Sequence, residues 1–177
     1  MGTIAIGTVL VLAIAVGLGV LIQLDEPVSS MSSGSGVSSV VVDSGEVDDI
    51  EEKYTPQTER AWCLYGEVRE SGDTGKVAVV EEVKWDSEAE GTKTTVEFDC
   101  LDDLPVPEGT EYIGHAHSHP AGSAARPSAQ DEALNHVGGV AVMGIYNGDE
   151  LNFFAGESVA SAVEQGASAE RLDYEVR

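Results

Sequence analysis

The sequence predicts an α/β domain, a mixed β-sheet flanked by a few helices and preceded by an N-terminal transmembrane helix. Three observations predict it: an uncharged apolar run at the start, a succession of β-forming runs through the middle, and one capped helix followed by further strands. From Thr3 to Leu24 only Thr8 and Gln23 follow Thr3 as polar interruptions, and about 20 apolar residues suffice to cross a bilayer. A cleaved signal peptide would want a basic start, a shorter apolar stretch and a small-x-small cleavage site, so residues 1–24 are read as a retained single-pass anchor. The first basic residue is Lys53, which leaves the positive-inside rule nothing to count; the working assignment puts the domain on the cytoplasmic side. Residues 25–52 are rich in Ser, Gly and acidic side chains and read as a flexible tether, with Val40 to Val42 at most a small edge strand.

The folded domain is placed at residues 53–177. A short helix over Val47 to Gln57, interrupted by Pro56, leads into strands over Ala61 to Val68, Lys76 to Trp85, Thr92 to Phe98 and Glu111 to His119. Ser128 is a good N-cap for a helix running to about Val137, which Gly138-Gly139 ends. Strands at Val140 to Tyr146 and Glu150 to Ala155 then flank Asn147-Gly148, a strong hairpin turn. Ser158 to Gln165 has room for a helical turn or two, and Arg171 to Val176 alternates like a last edge strand.

Charge narrows the function. The 177 residues carry 9 Lys and Arg against 32 Asp and Glu, a formal net charge of -23. Such a chain repels phosphate backbones, which excludes nucleic acid as a partner. With 42% hydrophobic residues it nevertheless has the material for a core. The acidic excess resembles the composition of proteins from extreme halophiles. Screening by molar salt, where the Debye length is about 3 Å, should therefore stabilise the protein relative to about 0.1 M salt. Thermal unfolding in the two buffers checks this, and greater stability in dilute buffer would refute it. Cys63 and Cys100 are too few for a disulfide framework or an all-thiolate metal site and are expected as two buried reduced thiols.

Three histidines alternate in Gly114-His115-Ala116-His117-Ser118-His119-Pro120. Residues two apart on a strand share a face with Cα atoms about 6.6 Å apart, so His117 and His119 can share a metal ion, whereas His115 lies too far from His119 and belongs behind the pair. Ser128-Ala129-Gln130-Asp131 follows within fifteen residues. Taken alone it is a capping box; together with the histidines it supplies the carboxylate that a two-histidine site wants. His136 falls on another face of the helix, and Trp62 and Trp85 are too isolated to form a base-stacking platform.

The string His117 to Asp131 resembles the signature of the JAMM (MPN+) zinc metalloproteases, His-Ser/Thr-His-Pro followed by Ser-x-x-Asp. Glu59, an apolar run and Gly66 seven residues on are similar to that family's glutamate strand. One departure is visible: eight residues separate His119 from Ser128, where the family usually has seven. The resemblance implies a cytidine-deaminase-like JAMM/MPN fold, a zinc ion held by His117, His119 and Asp131, Glu59 as general base, and Ser128 as donor to the oxyanion. It implies an isopeptidase acting on ubiquitin-like modifier conjugates. Two alternatives stay open: a membrane-tethered peptidase acting on envelope or precursor peptides, and a non-catalytic MPN-like scaffold.

Overall fold

The computed structural model describes residues 36–72, 75–102, 104–128, 131, 139–159 and 168–177. The expected N-terminal span lies outside these, as do His136 and all of the helix expected from Ser128 except Ser128 itself and Asp131. Among the described residues no helix is long and apolar enough to cross a membrane.

The elements run β1 (Val37–Val42), α1 (Ser44–Lys53), β2 (Ala61–Glu70), β3 (Lys76–Trp85), β4 (Glu90–Gly91), β5 (Val96–Glu97), β6 (Glu111–Ser118), β7 (Val142–Tyr146), β8 (Leu151–Ala155) and β9 (Arg171–Val176). The sheet is mixed, as expected, and it closes on itself in the order β1-β3-β2-β6-β7-β8-β9, with β4 and β5 forming a separate two-stranded arm. Closure comes from β1, which pairs in parallel with both β3 and β9. Neither β1 nor β9 is therefore a free edge strand: β9 pairs with β8 at Arg171 and Leu172 and with β1 from Asp173 to Val176.

Of the tether expected over 25–52, residues 25–35 lie outside the described residues, and the rest is corrected by β1 and α1. The fold is under way by Val37, because Val40 and Val42 are buried in the barrel core and Ile50 of α1 packs with them. The Ser-rich composition around this stretch hides a strand whose inward residues are all valine. The helix itself stops at Lys53, ahead of Pro56, consistent with the restriction that a proline places on the preceding residue. The strand expected over Thr92 to Phe98 is also shortened to Val96–Glu97, because the Thr92 hydroxyl accepts hydrogen bonds from the amides of Thr94 and Thr95 and folds the chain into a turn.

Strands β7 and β8 are buried throughout, which is why their sequences are almost entirely apolar rather than alternating, Asn152 being the exception. In β6 the pairing with β2 steps from Tyr65 opposite Tyr112 to Leu64 opposite Gly114, leaving Ile113 as an extra residue. This bulge allows Ile113 and Ala116 both to join the main core with Trp62 and Leu64. His115 and His117 then share the opposite face.

Cys63 and Cys100 are joined in a disulfide, with Cα atoms 5.6 Å apart, which corrects the expectation of reduced thiols. Cys63 sits on β2 opposite His115, and the chain beyond β5 returns along that face. The bridge packs with Tyr65, Phe98, Leu104 and Tyr112. Thirty-seven residues of separation conceal the pairing in the sequence.

Candidate metal centre

His117 is one of the last residues of β6, held in register by Ala61 on one side and Ile145 on the other. His119 follows the strand, and its amide donates to the carbonyl of Tyr146 at 2.7 Å. Asp131 arrives from the segment after Pro127. Its Oδ2 accepts from the Ser128 amide at 2.5 Å, and its own amide donates to the Ser128 hydroxyl at 3.3 Å. The capping box and the metal ligand are thus one arrangement: reciprocal capping fixes the carboxylate where the histidines can meet it.

The three side chains are buried. His117 Nε2 lies 2.9 Å from Asp131 Oδ1 and 3.2 Å from His119 Nε2, and His119 Nε2 lies 3.2 Å from Asp131 Oδ2. Among the described residues this is the group whose ligand atoms could hold a metal ion. Tetrahedral coordination with bonds of 2.0–2.1 Å puts ligand atoms about 3.3 Å apart, so the donor set fits such an ion. Burial opposes ionisation of Asp131, but its hydrogen bonds to His117 and His119 outweigh that and hold the carboxyl well below the usual carboxylate range. Burial likewise disfavours a charged His119, yet the hydrogen bond and charge of Asp131 prevail and raise its pKa.

Glu59 is 6% exposed. Burial pushes its carboxyl up to about 7, His119 pulling it down and the Asp131 charge pushing it up. Sequence alone cannot select Glu59 from 32 acidic residues, but its environment does: it lies within electrostatic reach of the triad and titrates near neutrality.

His115 packs behind His117, their rings stacked with centroids 6.4 Å apart, and Phe98 meets His115 edge-on at 4.9 Å. Its Nδ1 lies 3.4 Å from the Tyr112 hydroxyl.

The longer segment between His119 and Ser128 is absorbed by a pinned loop. His119 Nδ1 lies 3.2 Å from the carbonyl of Ala124. Asn147 Nδ2 donates to the Ser123 carbonyl at 2.7 Å, and Asn152 Nδ2 donates to the Ala125 carbonyl at 2.9 Å. These two asparagines, one in the hairpin turn and one on β8, hold the residues on either side of Ala124, whose carbonyl meets the His119 imidazole. They were not singled out from the sequence as contributors to the site. The available signal was an amide in the otherwise apolar run Leu151–Ala155, since a buried carboxamide needs partners. Asn152→Ala should weaken metal affinity by about tenfold, the lower end for residues that support a ligand. Chelator competition measures it, and unchanged affinity would show that the loop holds itself.

Residues 52–156 match the family described as prokaryotic homologs of the JAB domain, well over half of the chain. The chain belongs to the prokaryotic JAB-domain family. This JAB-domain protein is similar to the solution structure of protein DSY2949 from Desulfitobacterium hafniense, with TM-score 0.53 and 18% identity over 78% of this chain and 92% of that one. It also matches the crystal structure of AF2198, a JAB1/MPN domain protein from Archaeoglobus fulgidus, with TM-score 0.42 and 19% identity over 75% of this chain and 96% of that one. No curated protein matches it. Family membership and the His-His-Asp triad agree on a JAB-type metal site.

Proposed function

We propose that this JAB-domain protein is a zinc-dependent isopeptidase that removes ubiquitin-like modifiers from protein lysines. The observation that carries the reading is the coincidence of a buried His117, His119 and Asp131 triad with a buried Glu59 whose carboxyl is held near neutrality.

When bound, zinc supplies Lewis-acid polarisation of the scissile carbonyl and a water acidified towards neutrality. His117, His119 and Asp131 would hold the ion, and the capping contacts of Ser128 fix the Asp131 carboxylate for it. Glu59 accepts a proton from the attacking water as the oxygen–carbon bond forms. It then returns the proton to the leaving lysine amine as the carbon–nitrogen bond breaks, leaving a carboxylic acid on the modifier that ionises by giving its proton to the amine or to solvent. The Ser128 hydroxyl would donate a hydrogen bond to the oxyanion between these steps.

The test is cleavage of an isopeptide-linked ubiquitin-like modifier conjugate by the zinc-loaded chain in molar KCl. Release of modifier that a chelator abolishes and zinc restores supports the reading. A folded, zinc-loaded chain that releases none sinks it.

One observation favours a second reading, a membrane-tethered peptidase acting on envelope or precursor peptides. Disulfides persist mainly in oxidising compartments, and Cys63–Cys100 is buried in the domain. That supports an outward-facing domain rather than a cytoplasmic one. Digestion of the domain by protease added to intact cells would support the outward orientation; protection until lysis would support the cytoplasmic side.

A further inference from the structure

Glu59 precedes β2, which begins at Ala61. On its C-terminal side Ser118 of β6 ties Arg60, its hydroxyl accepting from the Arg60 amide at 2.9 Å and its amide donating to the Arg60 carbonyl at 2.9 Å, while the β4–β5 arm meets Glu59 itself. The Glu59 amide donates to the carbonyl of Thr92 at 2.7 Å. Gly91 lies so close on the other side that a Cβ there would stand 2.0 Å from the Glu59 carbonyl oxygen, 3.1 Å from its carbon and 3.0 Å from Thr58 Cγ2. The backbone of Gly91 is not in the left-handed region, so its conformation does not demand glycine. Close approach to Glu59 does.

The arm is itself held at three points. At its start the buried Asp86 donates its amide to the Ala61 carbonyl at 3.0 Å, and its Oδ1 accepts from the amides of Glu88 and Ala89. At its tip Thr92 Oγ1 accepts from the amides of Thr94 and Thr95 and lies 2.7 Å from Thr95 Oγ1. At its far end Cys100 is bonded to Cys63. An arm tied at both ends and stiffened at the tip can define the position of the peptide it touches.

We infer that Gly91 and the Thr92 turn are positioning residues for Glu59, setting the location of the general base relative to the metal triad while touching neither metal nor substrate. The inference rests on the function proposed above only for its kinetic consequence; the placement of Glu59 can be tested without turnover.

The experiment compares Gly91→Ala, Thr92→Ala and, as control, Gly45→Ala, whose added Cβ meets nothing within 4 Å. The full-length, zinc-loaded chain is used. Amide hydrogen exchange is read at Glu59 and at His119, zinc affinity by chelator competition, and kcat and KM on the modifier conjugate. In Gly91→Ala the Glu59 amide should exchange at least about tenfold faster while the His119 amide does not change, and zinc affinity should stay within about twofold. The kcat should fall by about 100-fold with KM little altered, the cost of displacing a reacting group by about 1 Å. Thr92→Ala should move the same readouts in the same direction by less, and it decides the matter should Gly91→Ala fail to fold.

Unchanged Glu59 exchange in the folded variant overturns the inference. So does a parallel loss of zinc affinity, KM and kcat, the pattern of a merely structural glycine. A wild-type chain that binds zinc but hydrolyses nothing removes the proposed function instead, and the exchange data still decide where Glu59 is held.

Discussion

Glu59→Gln is expected to lower kcat by about 10²- to 10⁴-fold, the range for loss of a positioned general base, while leaving zinc affinity unchanged within error. The amide keeps the size of the carboxylate and forfeits its ability to take and return a proton. His117, His119 and Asp131 are the group that could hold the ion, so on the proposed function the substitution removes no metal ligand. The pH dependence follows from the raised carboxyl. Burial holds Glu59 protonated to higher pH than an ordinary glutamate, its carboxyl reaching about 7. A base must be ionised to work, so kcat/KM should rise with pH towards neutrality and fall tenfold per unit well below the controlling pKa. The positive charge of a bound ion favours the carboxylate, so that pKa should lie at or below about 7 in the loaded enzyme. Glu59→Gln should abolish this acid limb in whatever activity remains. Turnover retained in the variant, or zinc and turnover lost together, would remove Glu59 from the role of base.

The metal triad was legible because its parts are local. His117 and His119 are two residues apart on one strand, and the Ser128 capping box brings Asp131 back within a short loop. Strand periodicity and capping chemistry both act over a few residues, so a sequence displays them directly. Glu59 was legible only by resemblance, since what distinguishes it from other glutamates is burial beside a site made by a distant strand. The strands β3 and β9 stand where their patterns put them. The closure that removes both edges does not follow from those patterns, because parallel pairing of β1 with β9 joins segments more than 130 residues apart. The partners of Asn147 and Asn152 are hidden for the same reason: each amide finds a carbonyl on a loop more than 20 residues away. The disulfide combines both obstacles, since nothing local marks either cysteine and only the return of the chain beyond β5 brings them together.

Replacing Cys63 and Cys100 together by alanine is expected to cost about 4 kcal/mol of stability, the chain-entropy value for a loop of this length. The bridge spans 37 residues of sequence, from mid-β2 to the segment after β5, and includes all of β3 and the β4–β5 arm. Opening it frees the unfolded chain across that whole stretch. In the native state the neighbouring contacts are apolar, with Phe98, Leu104 and Tyr112 packed around the sulfurs and the Tyr65 hydroxyl donating to the Cys100 carbonyl at 3.3 Å. These survive substitution in part, so the barrel should still form, with its unfolding midpoint lowered by roughly 10 °C for a domain of this size. The metal ligands belong to β6 and the segments following it, outside the bridged stretch, so zinc stoichiometry should hold. Thermal unfolding of wild type with and without reductant, beside the double variant, provides the measurement. If reductant leaves the midpoint unchanged and two thiols react in the denatured, unreduced protein, the bridge is absent in solution and the expectation of free thiols stands. If both treatments lower the midpoint by the same amount, the covalent tie contributes the stability, and loss of the anchor at Cys100 becomes a second way to release the arm that holds Glu59.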